Sequence, residues 1–176
     1  MIKKLSTRQF APFLILAALA IAALFIPAFP HFEDKEGVYN SADISWILVA
    51  TALVFLMTPG LAFFYGGMVH RKNVISTMIK SVVAAGVVGV LWVVVGFSLA
   101  FGESIGGFIG NPTTFLFFKN VNSGAPWSLA PTIPLSLFAI FQMMFAIITP
   151  GLVVGAVAER IRFSSYILFT VLFLLL

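Results

Sequence analysis

The sequence predicts an all-α protein, a polytopic transmembrane helix bundle with little outside the bilayer. Three observations predict it. Hydrophobic residues make up 61% of the 176 positions and charged residues 9%, against roughly 45–50% and about 25% in an average soluble domain. Long charge-free apolar runs recur at the length a bilayer demands, about 20 residues for a hydrocarbon core of about 30 Å. The ten Lys/Arg residues cluster in alternate loops. A soluble chain of this length needs a polar skin that so few charges cannot supply. Soluble globular, disordered, collagen-like and coiled-coil classes are therefore excluded.

The first apolar run extends from about Phe10 to Phe29, behind Lys3, Lys4 and Arg8. A basic start, an apolar stretch and a polar sequel have the form of a secretory signal peptide. The core from Ala11 to Ile26 is short for a span, and Pro27 and Pro30 end it. Residues 1–30 are read as a signal peptide, with an extra N-terminal helix as the alternative, and 31–43 as an extracytoplasmic loop. Three complete helices are expected at about 44–69, 82–101 and 132–158, and a truncated fourth at about 164–176. The second of these lies between Lys80 and Glu103, and the third within the charge-free stretch from Asn120 to Ala158. From Ser164 to Leu176 there is only about 20 Å of helix, too little to cross. A free carboxylate after Leu-Phe-Leu-Leu-Leu would sit in hydrocarbon at a cost of several kcal/mol. The expectation is that the chain is part of a longer protein.

Lys3, Lys4 and Arg8, then Arg71, Lys72 and Lys80, then Arg160 and Arg162 fall on one side of this arrangement, and Lys35 and Lys119 on the other. The positive-inside rule puts the larger group in the cytoplasm. The mature N-terminus is then extracytoplasmic, and the protein multi-pass in the cell membrane. The net charge of +4 reads as topology, and nucleic-acid binding is excluded. The lack of Cys removes disulfides, thiolate metal sites and cysteine nucleophiles. No nucleotide, zinc or hydrolase motif is present. His31 and His70 lie at the loops, so no catalytic residues, metal or cofactor are expected, and the protein is not read as an enzyme.

Inside the segments, Thr58-Pro59-Gly60 and Thr149-Pro150-Gly151 repeat one tripeptide about ten residues before a basic cluster. Proline removes a helix hydrogen bond, and a bilayer tolerates this where neighbours satisfy the freed carbonyl. Both segments are expected to kink, for packing or to line a substrate path. Gly151 and Gly155 form G-x-x-x-G, and Gly60, Gly66, Gly67, Gly86, Gly89 and Gly96 add further small faces, the means by which membrane helices approach closely. With no acid or base deep in any segment, a path would have to use rings, hydroxyls and amides. Phe141-Gln142-Met143-Met144-Phe145 places Phe141 and Phe145 on one helix face. Ring faces attract cations, but this spacing by itself reads as packing.

Pro59-Gly-Leu-Ala-Phe-Phe-Tyr-Gly-Gly67 followed by Arg71-Lys-Asn-Val74, then Ser98-Leu-Ala-Phe-Gly-Glu103, then Gly151-Leu-Val-Val-Gly-Ala-Val-Ala-Glu-Arg-Ile-Arg-Phe163 resemble, in order and spacing, the first three helix signatures of the ammonium transporter (Amt/Rh) family, in its Amt branch. The resemblance covers about residues 42–176. It implies the N-terminal part of an eleven-helix fold of two inverted five-helix repeats, a homotrimer in the complete protein, and ammonium or ammonia as substrate. In the family, ammonium is recruited at an outer aromatic vestibule, deprotonated, and conducted past a Phe gate and two midplane histidines. Phe145 matches the first-repeat gate, with Phe141 and Gln142 as its neighbours. The vestibule Trp, the recruitment Ser, the second gate Phe, the acidic residue near the entrance and both pore histidines belong to positions beyond Leu176. Trp46, Trp92 and Trp127 do not correspond to the vestibule Trp. The 176 residues are therefore expected not to conduct by themselves. The alternatives are an ammonium sensor of the same fold fused to a signalling domain, and a non-conducting truncated partner of full-length subunits.

Overall fold

The computed structural model describes residues 39–121 and 126–175, together with Ala18 and Ile21. The chain divides into two compact units, Met1–His31 and Phe32–Leu176. Of the first unit only Ala18 and Ile21 are described, both helical. The expected signal peptide or extra helix at 1–30, and most of the 31–43 loop, lie outside the described residues.

The second unit is built on three membrane-length helices among the described residues. Helix α1 (Ser41–Met68) opens at Asn40, whose side-chain oxygen accepts from the Ala42 N–H at 2.9 Å. Such a cap satisfies one orphan donor of the first turn, and Asp43 adds a favourable charge there. Its 28 residues span about 42 Å and run unbroken through Pro59. Helix α2 (Arg71–Phe101) has four parts: a single 3₁₀ turn at Arg71–Asn73, α-helix over Val74–Leu91, a π turn at Trp92–Gly96 and α-helix again over Phe97–Phe101. Helix α3 (Leu135–Val157) runs through Pro150, and the shorter α4 (Phe163–Leu175) follows.

Residues 102–121 and 126–134 lie over one end of the bundle and include two small antiparallel pairs, β1 (Ser104–Ile105) with β2 (Ile109–Gly110) and β3 (Pro126–Trp127) with β4 (Ala130–Pro134). The Thr132 carbonyl accepts from Asn40 N–H at 2.9 Å, which ties β4 to the start of α1. This pairing, with Pro134 in extended conformation as the residue before α3, is why α3 begins at Leu135 and not at Thr132. At Gly110 the chain passes so close to the Ser98 carbonyl that a Cβ would overlap it; the first hairpin thus lies against the last turn of α2.

Helices α1, α2 and α3 pack pairwise and α4 packs on α2. Near the hairpins, the buried Trp92, Phe97, Val121, Leu135 and Ala139 form a core that Phe101 and Phe115 extend. Val88, Met144 and Ile147 fill the middle, and Ala84, Val154 and Tyr166 the basic end. The outward faces are apolar, with Trp46, Leu56, Phe63, Met68, Val82 and Leu168 all exposed. That is the pattern of a protein whose surroundings are hydrocarbon or further helices. Lys80 differs from its expected place in a loop. It lies inside α2 and is 4% exposed, because α2 starts at Arg71 and winds nine residues before reaching it.

Candidate substrate path

Phe141 and Phe145 lie one turn apart on α3, and their rings meet edge to face with centroids 5.2 Å apart and planes at 80°. Phe145 is 43% exposed and Phe141 half-buried. Gln142, also half-buried, finds no hydrogen-bond partner for its amide among the described residues. The arrangement offers an open ring face beside an amide with no partner among the described residues, in a segment whose other polar side chains are Ser136 and Thr149. A ring quadrupole attracts a desolvated cation by about 2 kcal/mol or more.

Below this pair α3 carries its proline. The Thr149 hydroxyl donates to the Phe145 carbonyl at 2.7 Å, and Pro150 withholds the N–H that the Ala146 carbonyl would receive. A cavity of about 170 Å³ lined by Ala146, Thr149, Pro150, Phe173 and Leu174 lies beside that turn. The Pro150 carbonyl accepts from the buried Tyr166 hydroxyl of α4 at 2.9 Å, and the Leu152 carbonyl from Tyr65 of α1 at 3.1 Å. The other face of α3 is pressed against α1. A Cβ on Gly151 would sit 3.2 Å from Leu61, and one on Gly155 would overlap the Tyr65 ring.

The other Thr-Pro-Gly is disposed differently. The Thr58 hydroxyl is buried without a partner among the described residues. It lines an apolar groove of about 440 Å³ with Phe55, Pro59, Gly86, Gly89 and Met144. Gly60, Gly86 and Gly89 have nothing within 4 Å of where a Cβ would stand. The small faces at Gly151 and Gly155 thus meet a neighbour, whereas those at Gly60, Gly86 and Gly89 stand open.

At the basic end the residues form a clamp that sequence reasoning did not find. Glu159 accepts from the His70 backbone N–H at 2.9 Å, from His70 Nδ1 at 3.0 Å and from Asn73 Nδ2 at 2.8 Å. The Asn73 side chain, then the His70 backbone and ring, hold its carboxyl down to about 2. Glu159 itself is held at φ 63°, a left-handed conformation uncommon for a residue with a Cβ. The clamp caps the start of α2 from the α3–α4 connection and brings the exposed Arg71, Lys72, Arg160 and Arg162 together. Its sequence signal was present, since His70, Asn73 and Glu159 all fall inside or beside the quoted motifs; their separation of more than eighty residues hid the contact. Among the described residues no group of three or more His, Asp or Glu could hold a metal ion.

Comparison with known proteins bears on this geometry. The sequence pattern described as "Ammonium Transporter Family" matches residues 45–176. An "Ammonium transporter" of Mycobacterium tuberculosis (strain ATCC 25618 / H37Rv) is 46% identical over 146 residues, covering 76% of this chain and 31% of the relative. A "Putative ammonium transporter" of Methanothermobacter thermautotrophicus is 50% identical over 131 residues, covering 74% and 32%. Among solved structures, Saccharomyces cerevisiae Mep2 superposes with a TM-score of 0.70 at 36% identity, over 80% of this chain and 31% of that one. The delta442 mutant of Candida albicans Mep2 gives 0.68 at 33% identity, over 81% and 35%. The chain spans about a third of the length of the relatives it matches.

Proposed function

Because the chain belongs to the ammonium transporter family, we propose that it forms one wall of an ammonium path, with Phe145 as a gate whose ring meets the cation and Phe141 and Gln142 beside it. The observation that carries this reading is the exposed Phe145 ring, edge to face with Phe141 and next to the Gln142 amide, which has no partner among the described residues. A cation shedding water loses strong hydration, and this segment has no charged side chain to replace it, leaving ring faces, carbonyls, an amide and the hydroxyls of Ser136 and Thr149. The histidines of the family's pore are not among these residues, so the chain binds at the gate and does not conduct alone. The complete protein is a homotrimer in the cell membrane, and the end bearing Arg71, Lys72, Arg160 and Arg162 faces the cytoplasm.

The test is ammonium titration of the 176-residue chain in nanodiscs with ¹³C-labelled phenylalanine. The expected result is a saturable shift of the Phe141 and Phe145 ring signals with ammonium and none with sodium, abolished in Phe145→Leu for the partner ring. Equal responses to both ions, or a response confined to the other phenylalanines, would overturn the gate assignment.

A further inference from the structure

We propose that Trp92 is the positioning residue of this gate. Its indole N–H and the π turn that carries it fix the rotation of α3, and so the direction in which Phe141 and Phe145 face. The functional meaning rests on the gate reading above; the mechanical claim does not.

Trp92 is 7% exposed, and its Nε1–H donates to the Ala139 carbonyl at 3.1 Å across the α2–α3 interface. In an apolar interior that N–H must find an acceptor, since leaving it unmade forfeits the desolvation of the group. Ala139 is fully buried, so the α3 backbone comes against the indole without an intervening side chain. Successive residues of an α-helix are about 100° apart, which puts Phe141 about 200° and Phe145 about 240° around α3 from Ala139. A bond that pins position 139 toward α2 therefore turns both rings to the opposite, open side. Phe145 is exposed to the degree this requires.

The π turn explains how Trp92 can hold that place. Phe97 N–H bonds to the Trp92 carbonyl, five residues back, the signature of one residue inserted into the helix. In an uninterrupted α-helix residues five apart would diverge by about 140°. Here Trp92 and Phe97 face the same core, ring centroids 6.0 Å apart. Gly96 completes the fit, because a Cβ there would stand 3.2 Å from the indole. Phe97 in turn packs on Phe101, Phe115 and Phe118, which anchors the outer part of α2, while α3 meets this cluster through the Phe138 ring, 5.2 Å from Phe101. The indole hydrogen bond is thus a specific tie between a rigid aromatic cluster and the helix that carries the gate.

The chain contains no Cys, so Leu53→Cys on α1 and Ile140→Cys on α3, both at exposed positions, give a clean pair of spin labels. Trp92→Phe keeps a ring and removes the N–H. It is expected to displace and broaden the 53–140 distance distribution and to weaken the ammonium response of Phe145 several-fold, the range one hydrogen bond supplies. Phe97→Leu, which removes a ring of the same cluster but not the bond, is expected to lower the melting temperature and leave both readouts unchanged. If Trp92→Phe fails to fold, replacing tryptophan biosynthetically by benzothienylalanine deletes the N–H with the ring shape kept, and the same displacement is expected. A distance distribution equal to the parent's in either replacement overturns the proposal. A displaced distribution in a protein whose Phe145 never responds to ammonium leaves Trp92 as the positioning residue and overturns the gate reading instead.

Discussion

Glu159 stays in a left-handed conformation because three donors hold its carboxylate, and the same donors make it the residue through which acid acts on the basic end. Its carboxyl titrates at about 2 in the fold against 4.5 ordinarily, with the Asn73 amide the largest cause and His70 next. A depressed carboxyl stabilises the fold above its unfolded pKa, and that contribution disappears as pH falls through its folded value. The stabilisation is therefore complete above about pH 4.5 and lost between there and about pH 2. Thermal unfolding in detergent micelles is expected to show the melting temperature falling across that window. Glu159→Gln should begin lower at neutral pH and lose less on acidification; a parallel decline in both proteins would remove Glu159 from the account. A second residue-scale expectation concerns Gly155, where an added Cβ would overlap the Tyr65 ring. Gly155→Ala should destabilise by about 1–3 kcal/mol, the ordinary cost of overpacking, and Gly67→Ala, which meets nothing within 4 Å, by no more than a few tenths.

At the scale of elements, the two Thr-Pro-Gly turns make the same sequence do different things. In α3 the Thr149 hydroxyl is committed to the Phe145 carbonyl at 2.7 Å, and Tyr166 reaches in from α4 to the Pro150 carbonyl. In α1 the Thr58 hydroxyl is buried with no partner among the described residues. An unpartnered buried hydroxyl forfeits hydration for nothing in return, whereas a satisfied one contributes about 0.5–1.5 kcal/mol. Thr58→Val is accordingly expected to be neutral or stabilising in detergent melts, and Tyr166→Phe to destabilise by about 1 kcal/mol; the reverse order would show that the two hydroxyls are wrongly assigned. This contrast also marks how far the sequence could be read. The three membrane-length helices follow from apolar runs bounded by Asp43, Arg71, Glu103 and Arg160, because hydrocarbon length is a one-dimensional constraint. The Phe141–Phe145 face follows from helical periodicity in the same way. Lys80 inside α2 and the Glu159 clamp do not, because the start of α2 is held by a contact more than eighty residues away; nor do the strand pairs at 104–110 and 126–134, whose strands are two to five residues long and too short to leave an alternating pattern. The π turn at Trp92–Gly96 is not marked by periodicity either, although Gly96, where a Cβ would stand 3.2 Å from the indole, belongs to it.

At the scale of the whole molecule, the charges divide the described residues into two ends. Arg71, Lys72, Arg160 and Arg162 lie exposed at one, held together by the Glu159 clamp, and Lys119 lies exposed at the other beside the hairpins. Moving the tetrabasic end across a bilayer would carry four charges through hydrocarbon, and insertion machinery discriminates against that arrangement. The same end closes the loops 69–71 and 158–162 over the bundle, whereas the opposite end is closed by an aromatic cluster and two strand pairs. Orientation is therefore a property that a single accessible thiol can report. Lys72→Cys and Phe108→Cys suit this purpose, because the first is exposed at the basic end and the second, 98% exposed, stands at the tip of the β1–β2 hairpin. In intact cells a membrane-impermeant maleimide is expected to label Cys at 108 and leave Cys at 72 unmodified until the membrane is opened. Labelling at 72 in intact cells would invert the bundle, place the clamp outside, and make the pH window of Glu159 a response to the medium.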